Sequence, residues 1–164
     1  MLTTFTNAGV ITIPNGANVS ASPYPSNIVV SGQTDFVSDV NVTLTGLSHG
    51  RMDDVAVLLV SPNGTKTLLM ADTCDNVGGT FTLKFDDAAA AFLPDQNTPA
   101  LASGSFKPTL GTSAGGGGAF GGTFNAPAPV GPYSLLLSGL NGQTPNGTWS
   151  LYVFDDSNAQ TGSI

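Results

Sequence analysis

The chain has 164 residues and a formal net charge of −7, from four cations and eleven acids, with only 9% of residues charged. An average soluble protein carries roughly 25% charged residues. Glu is absent, all eleven acids are Asp, and 21 Gly and 11 Pro bend the chain. This excludes a helical bundle, which needs good helix formers and few Gly or Pro. Nucleic-acid binding is excluded as well, because Arg51, Lys66, Lys84 and Lys107 are too few and too scattered to form a basic footprint.

The length fits a single domain over residues 1–164. Its 40% hydrophobic content is enough to bury a core. No apolar run approaches the roughly 18 residues of a membrane span. Residues 1–5 lack the basic start and apolar stretch of a signal peptide. A single cysteine, Cys74, allows no internal disulfide.

Short apolar runs bounded by turn residues recur along the chain, as in a sandwich or barrel. The first is Val10–Ile13, closed by Pro14-Asn15-Gly16. Asn27–Val30 follows the prolines at 23 and 25. From Phe36 to Leu47 apolar and polar residues alternate, with Val40, Val42 and Leu44 on one face. Val55–Val60 is almost wholly apolar and reads as a central strand buried on both faces. Pro62-Asn63-Gly64 turns it into Lys66–Met70, a hairpin. Thr80–Phe85 directs Phe81, Leu83 and Phe85 inward. Asp87–Phe92 fits one short helical turn capped by an Asp. Residues 94–132 form a long irregular excursion containing the Gly115–Gly118 run. Leu135–Leu137 and Thr148–Phe154 resume the strand pattern, with Trp149, Leu151 and Val153 on one face.

Catalytic chemistry finds little support. His49, the only histidine, lies at a strand end with no nucleophile pattern around it, and reads as a ring hydrogen-bonded to loop backbone. Cys74 has no second thiol for zinc and no base beyond His49. Gly115–Gly118 lacks the Lys-Ser/Thr of a phosphate cradle and reads as a loop. Four Asn-x-Ser/Thr acceptor patterns, at Asn18, Asn41, Asn63 and Asn146, read as incidental to the composition.

The carboxylates carry the strongest signal. They include the adjacent pairs Asp53-Asp54, Asp86-Asp87 and Asp155-Asp156 at strand ends, with Asp72 and Asp75 in a further loop. Short, hard oxygen donors suit calcium, which takes six to eight oxygen ligands. Within a strand neighbouring side chains point oppositely, so each pair would give one ligand to a site. Asp also caps and turns strand ends without any ion. A glycosidase pair is the weaker alternative, since no sugar cleft is evident.

Several strings, taken in order, resemble a known family. They are Ile11-Thr12-Ile13-Pro14, Ser22-Pro23-Tyr24-Pro25, Val42–His49, Asp53–Leu59, Ser61–Thr65, Leu68–Asp72, Asn146–Leu151 and Asp155-Asp156. Together they resemble the P domain (P/Homo B domain) that follows the catalytic domain of subtilisin-like proprotein convertases, most closely its bacterial secreted form. The resemblance covers nearly the whole chain. It implies an all-β, jelly-roll-like antiparallel β-sandwich without catalytic residues, extracellular or at the cell surface. It also implies calcium, with Asp53, Asp72, Asp86 and Asp87 as leading ligands and Asp75 as a further one. His49 and Trp149 take structural positions in the family pattern.

Two departures stand out. There is no protease domain, and the family's last strand is missing after Ile164. Either the chain is an excerpt of something larger, or that strand comes from elsewhere. An open strand edge would be a template for strand addition. The expected function is a non-catalytic calcium-binding module that stabilises or mediates contacts of a larger protein. Its partner would be a neighbouring domain or identical subunits. Two alternatives are a structural subunit of a filament, tube or virion joined through strand edges, and a carbohydrate-binding module.

Overall fold

The structure, a computed structural model, describes residues 2–96, 99–112, 120–158 and 160–164. The Gly115–Gly118 run, expected as a loop, lies outside the described residues. Eleven strands are seen among them: β1 (Thr12–Ile13), β2 (Val19–Ser20), β3 (Ser26–Val30), β4 (Val42–His49), β5 (Val55–Val60), β6 (Lys66–Ala71), β7 (Gly79–Phe85), β8 (Gly104–Phe106), β9 (Thr109–Leu110), β10 (Gly147–Asp155) and β11 (Gly162–Ser163). One sheet runs β1-β11-β4-β7-β8. The other runs β2-β10-β5-β6-β9, with β3 also on β10. The protein is an all-β sandwich. Its pairs are antiparallel except β6–β9 and β7–β8, which are parallel.

β5 occupies the middle, as its unbroken apolar run predicts. Val55 and Val57 face the other sheet, packing in one cluster with Leu44, Leu47, Leu83 and Phe85. Ala56 and Leu58 face outward into a second cluster with Tyr152 and Phe154, covered by Phe120, Phe124 and Ala128. The excursion therefore roofs the outer face of the β5 sheet, and β8 and β9 also lie within it. Each fully buried Leu or Phe stabilises the fold by about 1.5–3 kcal/mol. Phe120 and Phe124 thus offset part of the entropy lost in ordering a long connection.

β4 contains the device that sets the site. Leu44 pairs with Leu83 and Leu47 with Phe81, so three steps on β4 match two on β7. The extra residue is a β-bulge at Thr45-Gly46, and Gly46 has φ +72°, a left-handed conformation that glycine adopts without steric cost. The bulge reverses the inward/outward parity of the strand. Leu44, Leu47 and His49 are consequently all buried. Simple alternation from Leu44 would have sent Leu47 and His49 to solvent.

Three local expectations differ from the structure. The strand expected from Phe36 begins only at Val42, because residues 36–41 make no strand pairing. Leu135–Leu137 is not a strand: Leu137–Leu140 forms a 3-10 turn whose Leu137 and Leu140 are buried. The helical turn expected at Asp87–Phe92 is a reverse turn. There the Ala89 N–H donates to the Asp86 carbonyl and the Ala88 N–H to the Asp86 carboxylate. The cap is therefore Asp86, the residue that leaves β7. The final strand of the chain, β11, covers two residues and sits between β1 and β4.

Candidate functional site

β5 runs antiparallel to both β10 and β6. Its start, the end of β6 and the end of β10 therefore meet at one end of the sandwich. Asp155, the last residue of β10, pairs with Val55, the first of β5. The Asp156 N–H donates to the Asp54 carbonyl at 3.0 Å, tying the two segments together. Asp53 and Asp54 belong to a 3-10 turn, Met52–Asp54, that precedes β5. Asp72 follows β6 at once. Because these pairs sit at or beyond strand ends, strand alternation does not limit them to one carboxylate each.

Five carboxylates are thereby sealed at this end: Asp53, Asp54, Asp72, Asp155 and Asp156 are each no more than 8% exposed. Among the described residues, five of their oxygens have no hydrogen-bond partner: Asp53 Oδ1, Asp54 Oδ2, Asp155 Oδ2 and both oxygens of Asp156. The neighbouring positive charge is small. Arg51 places Nη2 3.5 Å from Asp53 Oδ2 and Nε 3.8 Å from Asp54 Oδ2. His49 Nε2 lies 3.4 Å from Asp155 Oδ2. Buried charges with unmatched lone pairs are costly.

The titration of the cluster reflects that cost. Burial, then repulsion from Asp72, Asp54, Asp155 and Asp53, pushes Asp156 up to about 7. Burial and the charge of Asp54 push Asp53 up to about 6, against the pull of Arg51. Asp54 and Asp72 are raised mainly by burial. The Phe120 N–H donates to Asp72 Oδ1 at 2.7 Å. For His49, burial acts to lower the pKa, but Asp155, the Arg51 carbonyl and Asp54 outweigh it and hold the ring above its ordinary value.

Backbone strain is concentrated beside the cluster. Asp72, Cys74 and Asp75 all take positive φ, at 52°, 72° and 44°. Such conformations cost of order 1–3 kcal/mol each and gather at functional sites. Asp and Asn visit them more readily than other residues. The loop brings Asp75 close enough to raise the pKa of Asp53, while Asp75 Oδ1 accepts a bond from Asn76.

Of the residues expected as ligands, the structure brings Asp53, Asp72 and Asp75 together and separates Asp86 and Asp87 from them. Phe85 at the end of β7 pairs with Val42, whereas His49 lies at the opposite end of β4. Asp86 and Asp87 therefore stand at the far end of the sandwich. The Lys84 ammonium, 2.8 Å away, and the Ala88 N–H hold Asp86 below the usual carboxylate range. Asp87 accepts the N–H groups of Leu137 and Ser138, at 3.0 and 2.8 Å, and so caps the 3-10 turn. Asp54, Asp155 and Asp156 take their place in the cluster. Their signal was adjacency in the sequence, but only the antiparallel pairing of β5 with β10 shows that the two pairs meet.

The other chemistry-bearing residues make packing and hydrogen-bond contacts. His49 Nδ1 sits 2.5 Å from the Arg51 carbonyl, the loop-backbone contact that the sequence suggested. Cys74 is fully buried, and burial pushes its thiol up to about 11, far from a reactive thiolate. Trp149 is half-buried and donates Nε1–H to the Pro145 carbonyl. Tyr24 packs edge-on against Tyr152, and Tyr133 against Phe124.

Among the described residues, no three His, Cys, Asp or Glu side chains are grouped so as to hold a metal ion in this conformation. None of the helical segments described is long and apolar enough to cross a membrane. Comparison with family models, with curated proteins and with solved structures finds no significant match to the chain.

Proposed function

We propose that the chain is a non-catalytic, calcium-binding module of the P-domain kind that stabilises a larger secreted or surface protein and mediates its contacts. One observation carries this reading. Five buried carboxylates converge from three chain segments, and among the described residues five of their oxygens lack partners and only Arg51 and His49 oppose them. A hard divalent cation is the partner that such a donor set fits, because it neutralises two charges and accepts six to eight oxygens. Carbonyls of the strained Asp72–Asp75 loop and water would complete the shell. The donors are not yet gathered about one point, so side-chain rotation of Asp53 and Asp156 is part of the proposed binding step.

The same residues support a module without catalysis, since His49 and Cys74 are both committed to buried structural contacts. A sugar-binding reading lacks a platform: Trp149 and the three tyrosines are spent on packing. Isothermal titration of chelator-treated protein with calcium tests the proposal. Saturable binding that is lost in Asp53→Asn and Asp156→Asn is expected. Heat signals indistinguishable from dilution would remove calcium from the account.

A further inference from the structure

The carboxylate cluster and the roof over the β5 sheet share a side chain. Asp72 leaves β6 with its backbone at φ 52° and belongs to the buried cluster. Its Oδ1 accepts the Phe120 N–H at 2.7 Å, a buried bond across 48 residues of sequence. The Phe120 ring lies 5.0 Å from Phe124 and 6.2 Å from Phe154, and Phe124 lies 5.8 Å from Phe154. Phe154 directly precedes Asp155 and Asp156 on β10. The roof thus grips two of the three segments that build the cluster. Its other fastening is at the surface: the Asn125 amide donates to the Asn18 carbonyl and Ser20 Oγ, and the Asn125 carbonyl accepts the Tyr24 hydroxyl. Segments held by solvent-exposed hydrogen bonds open locally at low cost. The anchor at Asp72 is sealed from that competition.

We infer that a divalent cation in the carboxylate cluster latches the roof through Asp72, and that losing the cation frees the roof to lift from the apolar outer face of the β5 sheet. The inference rests on the calcium reading above and adds a regulated element to it. Without a cation, Asp72 stands against the charges of Asp156 and Asp95. Asp95 is pinned, because its two oxygens accept the Thr112 N–H and hydroxyl at 2.6 and 2.7 Å. Asp72 is therefore the carboxylate that yields, and the roof's buried acceptor yields with it.

A bound cation reverses this balance. It offsets the repulsion and keeps Asp72 ionised and in place, so that Oδ1 remains the acceptor for Phe120. A hydrogen bond to an ionised acceptor is about twice as strong as one between neutral groups. The latched roof keeps Leu58, Tyr152 and Phe154 out of water. Coupling of this kind is reciprocal: a change that loosens the roof must also weaken the cation. Phe124 and Asn125 are roof residues outside the cluster, so they can report the coupling without altering a ligand.

Native-state hydrogen exchange of the 164-residue chain, in calcium and in chelator, reads the latch, and isothermal titration of the same protein reads the ion. Calcium should slow exchange at the Phe120, Phe124 and Ala128 amides about fivefold or more beyond any slowing at Leu44 and Leu83 in the other sheet. Phe124→Ala should weaken calcium by about fivefold or more. Asn125→Ala, which spares the packed rings, should weaken it in the same direction and decides the matter if Phe124→Ala does not fold. Binding heat with uniform slowing at all five amides, or with none, overturns the latch and leaves the calcium module standing. Calcium affinity equal to the parent's in the folded variants does the same. An absence of binding heat overturns the calcium reading and the latch with it.

Discussion

His49 Nε2 meets Asp155 Oδ2 at 3.4 Å inside the sandwich, and both side chains are wholly sealed from solvent. The other ring nitrogen faces the Arg51 carbonyl. The Asp155 carboxylate and the Arg51 carbonyl favour the protonated ring and hold its pKa above the ordinary value, against the lowering effect of burial. The pair also closes the β11 end of β4, where Gly162 packs so tightly that a Cβ there would stand 2.1 Å from the Ser48 carbonyl.

Stability of the cation-free protein should fall as pH rises from 5 to 7.5. The folded state holds protons that the unfolded chain has released: Asp53 up to about 6 and Asp156 up to about 7, against 3.8 unfolded. Folded protein thus binds more protons in that window, so unfolding free energy declines with pH. His49 acts in the same direction. Its contribution is full below its unfolded value of 6.5 and is lost as pH rises through its raised folded value. Scanning calorimetry in chelator should show the melting temperature dropping by at least about 5 °C, since 1 kcal/mol shifts a domain of this size by roughly 2–4 °C. A melting temperature that rises over this range would contradict the buried-charge description.

Asp156→Asn should have opposite effects with and without calcium. Asn keeps the shape and removes a buried charge that four neighbouring carboxylates repel. At pH 7.5 in chelator the variant should melt higher than the parent, by a few degrees. In calcium it should gain less than the parent does, because a ligand charge is gone. Paired melting curves read both effects.

Asp87→Ala should behave differently. It strips two N–H groups at Leu137 and Ser138 of their acceptor, costing about 1 kcal/mol, as for a lost cap. Its calcium response should match the parent's, because Asp87 lies at the far end of the sandwich. An altered calcium affinity in Asp87→Ala would return that residue to the ligand set.

Gly46→Ala tests the bulge that aims His49 inward. Open space surrounds a Cβ there, with nothing within 4 Å, so the effect isolates backbone conformation at φ +72°. A loss of about 1–2 kcal/mol in denaturant unfolding is expected. An unchanged midpoint would mean that the bulge relaxes freely.

The fold was legible where local pattern and burial agree. Val55–Val60 carries its central position in its composition, and Thr80–Phe85 its inward face in its alternation. The bulge at Gly46 was not legible, because a one-residue insertion shows only against a paired strand. Phe120 and Phe124 were hidden for a related reason: isolated aromatics in an irregular segment show no period, yet they cover the outside of β5. Asp53 and Asp72, singled out by hard-donor chemistry and the family resemblance, fall within the buried cluster. Asp86 and Asp87 drew the same reading because an Asp pair at a strand end looks alike whether it caps a turn or faces an ion. What separates them is which ends of β5, β7 and β10 lie together, and that depends on long-range pairing.

The most direct test of the central claim is the melting temperature of the chelator-treated protein at pH 7.5, followed during calcium titration with magnesium in parallel. The carboxylate cluster predicts a saturable rise of about 5 °C or more with calcium and little with magnesium, which demands tighter octahedral geometry. A melting temperature that does not change up to millimolar calcium would contradict it.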